Sequence, residues 1–279
     1  MYNKIYSTFK YERKIFINKL DFTYKLHNDF STDIIDHHFI LKCVPCNNQR
    51  QMVESVGIKI NSEENFTTHY DSFGNIVLSG SIFSAHNKFD VEVTGTAITD
   101  MEIFEDTGED EVQNGIFKYQ TKLTMPYECI NNYSESLNVD LENNYNTALD
   151  IMRRLHKDMK YKKGSTDVST TAEYALKNRC GVCQDYSHIM LSLLRLRNIP
   201  TRYCVGMISG EGETHAWVEV LSNKRWYGFD PTNNLLVDKN YIKISSGRDA
   251  TDCSVNKGIF KGSALQQQTI SVLVTQHTT

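Results

Sequence analysis

The sequence has no run of about 20 consecutive apolar residues, so no membrane-spanning helix is expected. Its first segment, MYNKIYSTFKYERKIFINKLDF, is interrupted by charge throughout and has no apolar signal-peptide core, which makes the cytoplasm the expected location. No cluster of Lys and Arg forms a basic patch, and the formal net charge of -4 gives no general attraction to nucleic acid or to an anionic membrane surface. Prolines number only four, and Gly/Ser-rich or other low-complexity tracts are missing, which argues against a long flexible linker. No internal repeat is present. The seven cysteines are odd in number and scattered through a chain too long to need disulfide staples, so reduced thiols are expected. The acidic run EDTGEDE at 105–111 lacks the spacing and closing Glu of a calcium loop and reads as a solvated loop between strands.

What the chain does have is enough apolar content, 40% of 279 residues, to bury a substantial core. From about residue 12 to 120, short strand-like runs such as HHFILKCV, ESVGIKI, GNIVLSGSIFS and DVEVTGTAI alternate with turn residues including DSFGN. Residues 141–161 change period: Tyr145, Ala148, Leu149, Met152, Leu155 and Met159 recur three and four apart, which predicts a helix. A shorter helix is expected over 170–177 and a third from Gln184 to Asn198. In that third helix Tyr186, Ile189, Met190, Leu193 and Leu194 form one face, and Gln184, Ser187, His188, Ser192 and Arg195 the other. Strands follow in TRYCVGMI, THAWVEVL and RWYGFD, then an irregular stretch, then a closing strand in TISVLVTQ. The fold class expected is α+β: a β-rich domain over 1–120 and a second domain over 121–279, in which a Cys-bearing helix packs on an antiparallel sheet.

The stretch CGVCQDYSH, 180–188, admits three readings. Zinc would pair Cys180 and Cys183 with Cys43 and Cys46, but over 130 residues separate the pairs where ribbon sites keep them about 15–20 apart. Cys43 and Cys46 read instead as small apolar residues, and His37 and His38, adjacent on a strand, point to opposite faces. A thioredoxin-type redox pair needs a β-strand before Cys180, whereas TAEYALKNR looks helical. The third reading is a single nucleophilic thiol, Cys183, at a helix N-terminus. It requires an imidazole beside the thiol and a group to hold that imidazole.

Downstream residues supply both. In THAWVEVL the side chains of His215, Trp217 and Glu219 share one face, while Ala216, Val218 and Val220 fill the other. If the loop to RWYGFD holds two residues (Asn223, Lys224) or four (Ser222 to Arg225), position 217 faces position 230. His215 and Asp230 are then diagonal neighbours on one face, within reach of a hydrogen bond. A three-residue loop would turn Asp230 away. A strand His, an Asp before Pro and a helix-start Cys are each commonly structural; their joint arrangement points to a Cys-His-Asp triad.

GVCQDYSHIMLSLLRLRNIPTRYCVGM, THAWVEV and WYGFDPTNN resemble, in order and spacing, the three motif blocks of the transglutaminase-like superfamily of papain-type cysteine enzymes. HHFILKCVP, Gln51 and DSFGNIV resemble the β-rich N-terminal domain of the bacterial members, and SGRDATD with KGIFKGSALQQQTISVLV resembles their ending, except that Cys253, Ser254 and Val255 replace the usual apolar residue and proline. The resemblance implies that Cys183 is the nucleophile, His215 the general base and acid, and Asp230 the residue orienting the histidine. It also implies a peptide or protein carboxamide as substrate; no cofactor is expected, and without calcium-loop spacing no metal dependence is expected either.

The chemistry so implied is acyl transfer through a thioester. Water as acceptor makes a peptidase or amidase, the expected outcome; an amine makes a transglutaminase-type acyltransferase; a binding protein that keeps the fold is the non-catalytic alternative. The Cys183 backbone N–H is an expected oxyanion donor, and Tyr161, Thr166 and Gln184 are candidates for a second. Trp217 and Trp226 either line a groove or pack, Asp185 supports the helix N-terminus, His188 is solvated or supportive, and Cys180 is a passenger.

Overall fold

A computed structural model describes residues 17–60, 65–100, 105–106 and 114–278. Residues 1–16, which include most of the charged first segment, and all but the first two residues of the acidic run lie outside the described residues. The described chain opens with β1 (Ile17–Leu41), β2 (Gln51–Ile60), β3 (Phe66–Tyr70), β4 (Ile76–Ile82) and β5 (His86–Asp100), followed by the two-residue β6 (Glu105–Asp106). Helices Glu128–Ser136, Asn144–Asp158, Ala172–Asn178 and Cys183–Arg195 come next, interrupted by the short strands β7 (Lys160–Tyr161) and β8 (Cys180–Gly181). The rest is β9 (Thr201–Ile208), β10 (Gly210–Gly212), β11 (His215–Ser222), β12 (Arg225–Asp230), β13 (Leu235–Leu236), β14 (Tyr241–Gly247), β15 (Asn256–Lys261) and β16 (Gln266–Gln276). No helix among the described residues is long and apolar enough to cross a membrane.

The β-rich part is organised by β1, which serves both halves of one sheet. Its first half pairs with β5 on one side and β16 on the other; its second half pairs with β4 and β15. The ladders break near Asp36, whose φ of 49° lies in the left-handed region and bends the strand. Leu20, Phe22, Tyr24 and Leu26, at every second position, enter the core as period-two alternation requires. The last two strands, β15 and β16, thus belong to the sheet built by the first hundred residues, crossing the division expected at residue 120.

The second sheet runs β13-β12-β11-β9-β14, with β6 beside β12, and the four helices pack on one face of it. Its other face meets the β-rich part, where Met207, Ile242 and Ile244 join the core formed by β1, β4 and β5. Three segments expected to be irregular, 235–236, 241–247 and 256–261, are strands. Every residue of β14 is buried, so it carries no polar-apolar alternation to betray it.

Two side-chain amides from the β-rich part bind the backbone of β14. Gln51 donates to the Lys243 carbonyl at 2.9 Å and accepts from the Lys243 N–H at 2.7 Å. Asn75 does the same with Ser246, at 2.8 Å in both directions. Both amides are buried, so removing either strands a backbone donor and acceptor without water. Gln51→Ala and Asn75→Ala are each expected to lower unfolding free energy by about 1–3 kcal/mol in denaturant titrations. An unchanged midpoint for both would show that these amides do not fasten the two sheets.

The helix Cys183–Arg195 is buried on all sides. Its apolar face packs among Ala148, Ile151, Leu176 and Val218, as its periodicity suggested. The polar face is not solvated, because the 117–124 and 248–250 segments close over it. Arg195 donates to the carbonyls of Phe117, Thr201 and Arg248, Gln120 donates to the Ser192 carbonyl, and the Ala250 N–H donates to His188 Nε2 at 3.2 Å. His188 is therefore a supporting residue with no solvent exposure; burial holds its imidazole down at about 4, in the neutral form that can accept that bond.

Candidate active site

Cys183 is the first residue of its helix, and the approach to it is set by β8. Cys180 and Gly181 pair in parallel with Lys160 and Tyr161, and Val182 is extended, with φ -110° and ψ -176°. Asp185 then folds back: its Oδ2 accepts from the Val182 N–H at 2.7 Å and from the Thr166 hydroxyl at 2.6 Å. Burial, the largest influence, raises the Asp185 pKa against the lowering effect of these bonds. Glycine is required at 181, since a Cβ there would stand 2.5 Å from Asp185 Oδ2. The result is a helix start with its entry fixed, in which the Cys183 N–H is one of the first-turn donors without an intrahelical partner.

The same extended run separates the two thiols. Three extended steps from Cys180 to Cys183 put their Cα atoms about 10 Å apart, beyond the roughly 7 Å that a disulfide spans. No disulfide joins any of the seven cysteines. Cys43 is buried in the β-rich core, which pushes its thiol up to about 12, and no group of three or more His, Cys, Asp or Glu among the described residues is arranged to hold a metal ion.

The hairpin that carries the other two residues has the even loop. Ser222 faces Arg225, leaving only Asn223 and Lys224 in the turn, both left-handed with φ of 50° and 64°, as a type I′ turn requires. Counting back along the ladder sets position 217 opposite position 230, and His215 Nε2–H donates to Asp230 Oδ2 at 2.8 Å. That leaves Nδ1 for the thiol side of the ring.

Asp230 is fully buried and accepts five hydrogen bonds. Oδ2 receives His215, the Tyr241 hydroxyl at 2.9 Å and Asn233 Nδ2 at 2.8 Å; Oδ1 receives the backbone N–H groups of Thr232 and Asn233 at 3.0 and 3.1 Å. Burial raises its pKa most, but the His215 hydrogen bond and charge, followed by Asn233, outweigh it and hold the carboxyl below its ordinary value. For His215, burial again acts first and lowers; the hydrogen bonds and charges of Asp230 and Cys183 overcome it and lift the imidazole to about 10. The geometry therefore favours a protonated imidazole between a carboxylate and a sulfur.

Both tryptophans are buried and held in packing contacts. Trp217 packs edge-on against the Tyr241 ring at 5.5 Å, and Trp226 lies under the Arg202 guanidinium at 4.5 Å. Of the three proposed second oxyanion donors, the Thr166 hydroxyl is engaged by Asp185 and the Gln184 amide points to the Asp167 carbonyl. Tyr161 is half exposed, and its hydroxyl makes no hydrogen bond to another described residue. Sequence reasoning missed Tyr241 and Asn233 as partners of Asp230. Asn233 stands in the quoted block WYGFDPTNN, whereas nothing local marks Tyr241.

The family model for the transglutaminase-like superfamily matches residues 131–231, and that for the bacterial transglutaminase-like N-terminal region matches residues 20–97. An uncharacterized protein of Mycobacterium leprae is 34% identical over 126 residues, 42% of this chain and 45% of its own length. An uncharacterized protein of Mycobacterium tuberculosis is 34% identical over 126 residues, 39% of this chain and 40% of its own length. The chain thus spans less than half the length of the curated relatives it matches. Among solved structures, a candidate cysteine protease from Cytophaga hutchinsonii shares the fold, with a TM-score of 0.75 at 20% identity, covering 94% of this chain and 92% of that one.

Proposed function

With a transglutaminase-like core behind a bacterial transglutaminase-like N-terminal region, the chain belongs to the transglutaminase-like superfamily, and on that premise we propose that it is a cysteine-dependent acyl-transfer enzyme acting on peptide or protein carboxamides. The observation that carries this reading is the 2.8 Å bond between His215 and the buried Asp230, on the ring that also interacts with the Cys183 thiol. In this mechanism the Cys183 thiolate attacks the carboxamide carbon, forming a tetrahedral oxyanion held by the Cys183 N–H at the helix start. Tyr161 is our candidate for the second donor.

As the C–N bond breaks, the His215 imidazolium gives its proton to the departing amine and a thioester remains. The now neutral imidazole takes a proton from the incoming water or amine, which attacks the thioester, and the sulfur leaves as thiolate beside a regenerated imidazolium. Asp230 holds the ring in place throughout and keeps its charge.

Water is our preferred acceptor. Cys183 and His215 are only partly buried, and a site that water can reach does little to favour an amine. The name of the Cytophaga hutchinsonii neighbour agrees with a hydrolase. Mass spectrometry of a glutamine-peptide and amine library incubated with the protein tests the choice. Cleaved or deamidated peptides are expected. Amine adducts would make it a transferase, and no product together with an inert Cys183 would leave a binding protein.

A further inference from the structure

Two segments of opposite charge form rims beside the triad. One is the segment KYKK, in which Lys160, Lys162 and Lys163 are exposed; the other is GEGE, in which Glu211 and Glu213 are exposed. Each rim is tied to the triad by a short piece of backbone. Tyr161 ladders with Gly181, two residues before Cys183, and Lys163 follows Tyr161 by two; Glu213 precedes His215 by two. Lys163 Nζ and Glu213 Oε1 meet at 2.9 Å, joining the segment on the cysteine side of the triad to the one on the histidine side. The glutamate rim is not a loose loop, because β10 pairs with β16 through Gly210, Glu211 and Gly212. The β-rich part thus holds this rim in place from behind.

That ion pair is weak by its surroundings. Its side chains are 67% and 63% exposed, and pairs of this kind contribute about 0.2–1 kcal/mol. A substrate bearing its own charges can separate them at little cost and take each as a partner. A lysine and a glutamate side by side cannot both be satisfied by a substrate of one sign; a dipolar one satisfies both.

We propose that Lys163 and Glu213 are the specificity-determining residues of the cleft, Lys163 receiving a carboxylate and Glu213 an ammonium, so that the preferred substrates are amides flanked by one group of each charge. The proposal rests on the acyl-transfer reading of Cys183. Opposed charges also fix the direction in which such a substrate lies across the thiol, which a neutral cleft would leave open.

The test uses small reagents whose charge is the only variable. Alkylation of Cys183 in the full chain is followed by peptide mass spectrometry with iodoacetate and iodoacetamide, and its disulfide formation with cationic and neutral methanethiosulfonates. Lys163→Ala is expected to lower the iodoacetate-to-iodoacetamide rate ratio about three- to fivefold, and Lys163→Glu further; Glu213→Ala lowers the cationic-to-neutral ratio by a similar factor. Both changes shrink at 1 M salt. Ratios unmoved by all three substitutions, while the neutral reagents still react at Cys183, overturn the rim proposal alone. A Cys183 inert even to the neutral reagents overturns the acyl-transfer reading and this proposal with it.

Discussion

Cys183→Ala is expected to abolish product formation, by at least about 10⁴-fold, whereas Cys180→Ala leaves the rate within about twofold of the native protein. The asymmetry follows from geometry. Cys183 carries the thiol that interacts with the His215 ring, and no other nucleophile occupies the helix start. Cys180 lies on β8, whose contribution to the site is backbone: its ladder with Lys160 and the entry into the extended Val182. The clamp that sets the helix start, Asp185 to Val182 and Thr166, does not use the Cys180 sulfur. Product formation and alkylation of each variant, with thermal unfolding as a check on folding, decide the matter. Comparable losses at both positions would falsify the single-thiol reading and return the redox or metal alternatives.

The parts of this site that the sequence exposed are those governed by local periodicity. The hairpin between β11 and β12 is the clearest case: strand alternation put His215 and Asp230 on one face on condition of an even loop, and the two-residue turn at Asn223–Lys224 meets that condition. The Cys183 helix was likewise marked by its apolar face. What stayed hidden depends on contacts between distant segments. Arg195 and His188 read as a polar face because nothing nearby reveals that residues 117–124 and 248–250 fold over them. Tyr241 reaches Asp230 only because β14 lies beside β9 in the sheet, and β14 is buried along its whole length, which erases the alternation that identifies strands. Gln51 and Asn75 stand in stretches that carried the resemblance, yet nothing local gave their role, which appears only when β14 presents a free backbone edge to them.

Asp230→Asn is the second large effect, expected to lower the rate by about 10³–10⁴-fold while leaving Cys183 in place. The carboxylate accepts five hydrogen bonds, three of them at Oδ2. An amide offers one oxygen and one NH₂, so it cannot accept from His215, Tyr241, Asn233 and two backbone N–H groups together. It also removes the charge that stabilises the imidazolium. Burial, already the largest influence on His215 and one that lowers its pKa, is then opposed only by Cys183 and neighbouring dipoles, so the imidazole titrates well below about 10. The upper edge of the pH–rate profile for Cys183 alkylation should move toward neutrality by a unit or more.

Stability should shift in a matching window. A histidine raised from 6.5 to about 10 contributes stability that is complete below the unfolded value and lost as pH rises through the folded one. The lowered Asp230 contributes stability that is present above its unfolded value near 3.8 and lost as pH falls through its folded one. The native protein is therefore expected to lose unfolding free energy between pH 6.5 and 10 from His215, and Asp230→Asn should flatten that decline while lowering stability at neutral pH. Denaturant titrations at pH 6 and pH 9.5, run beside the alkylation profile, read both consequences. An upper edge that stays near pH 10 without the carboxylate would mean that Asp230 does not set the charge of the ring.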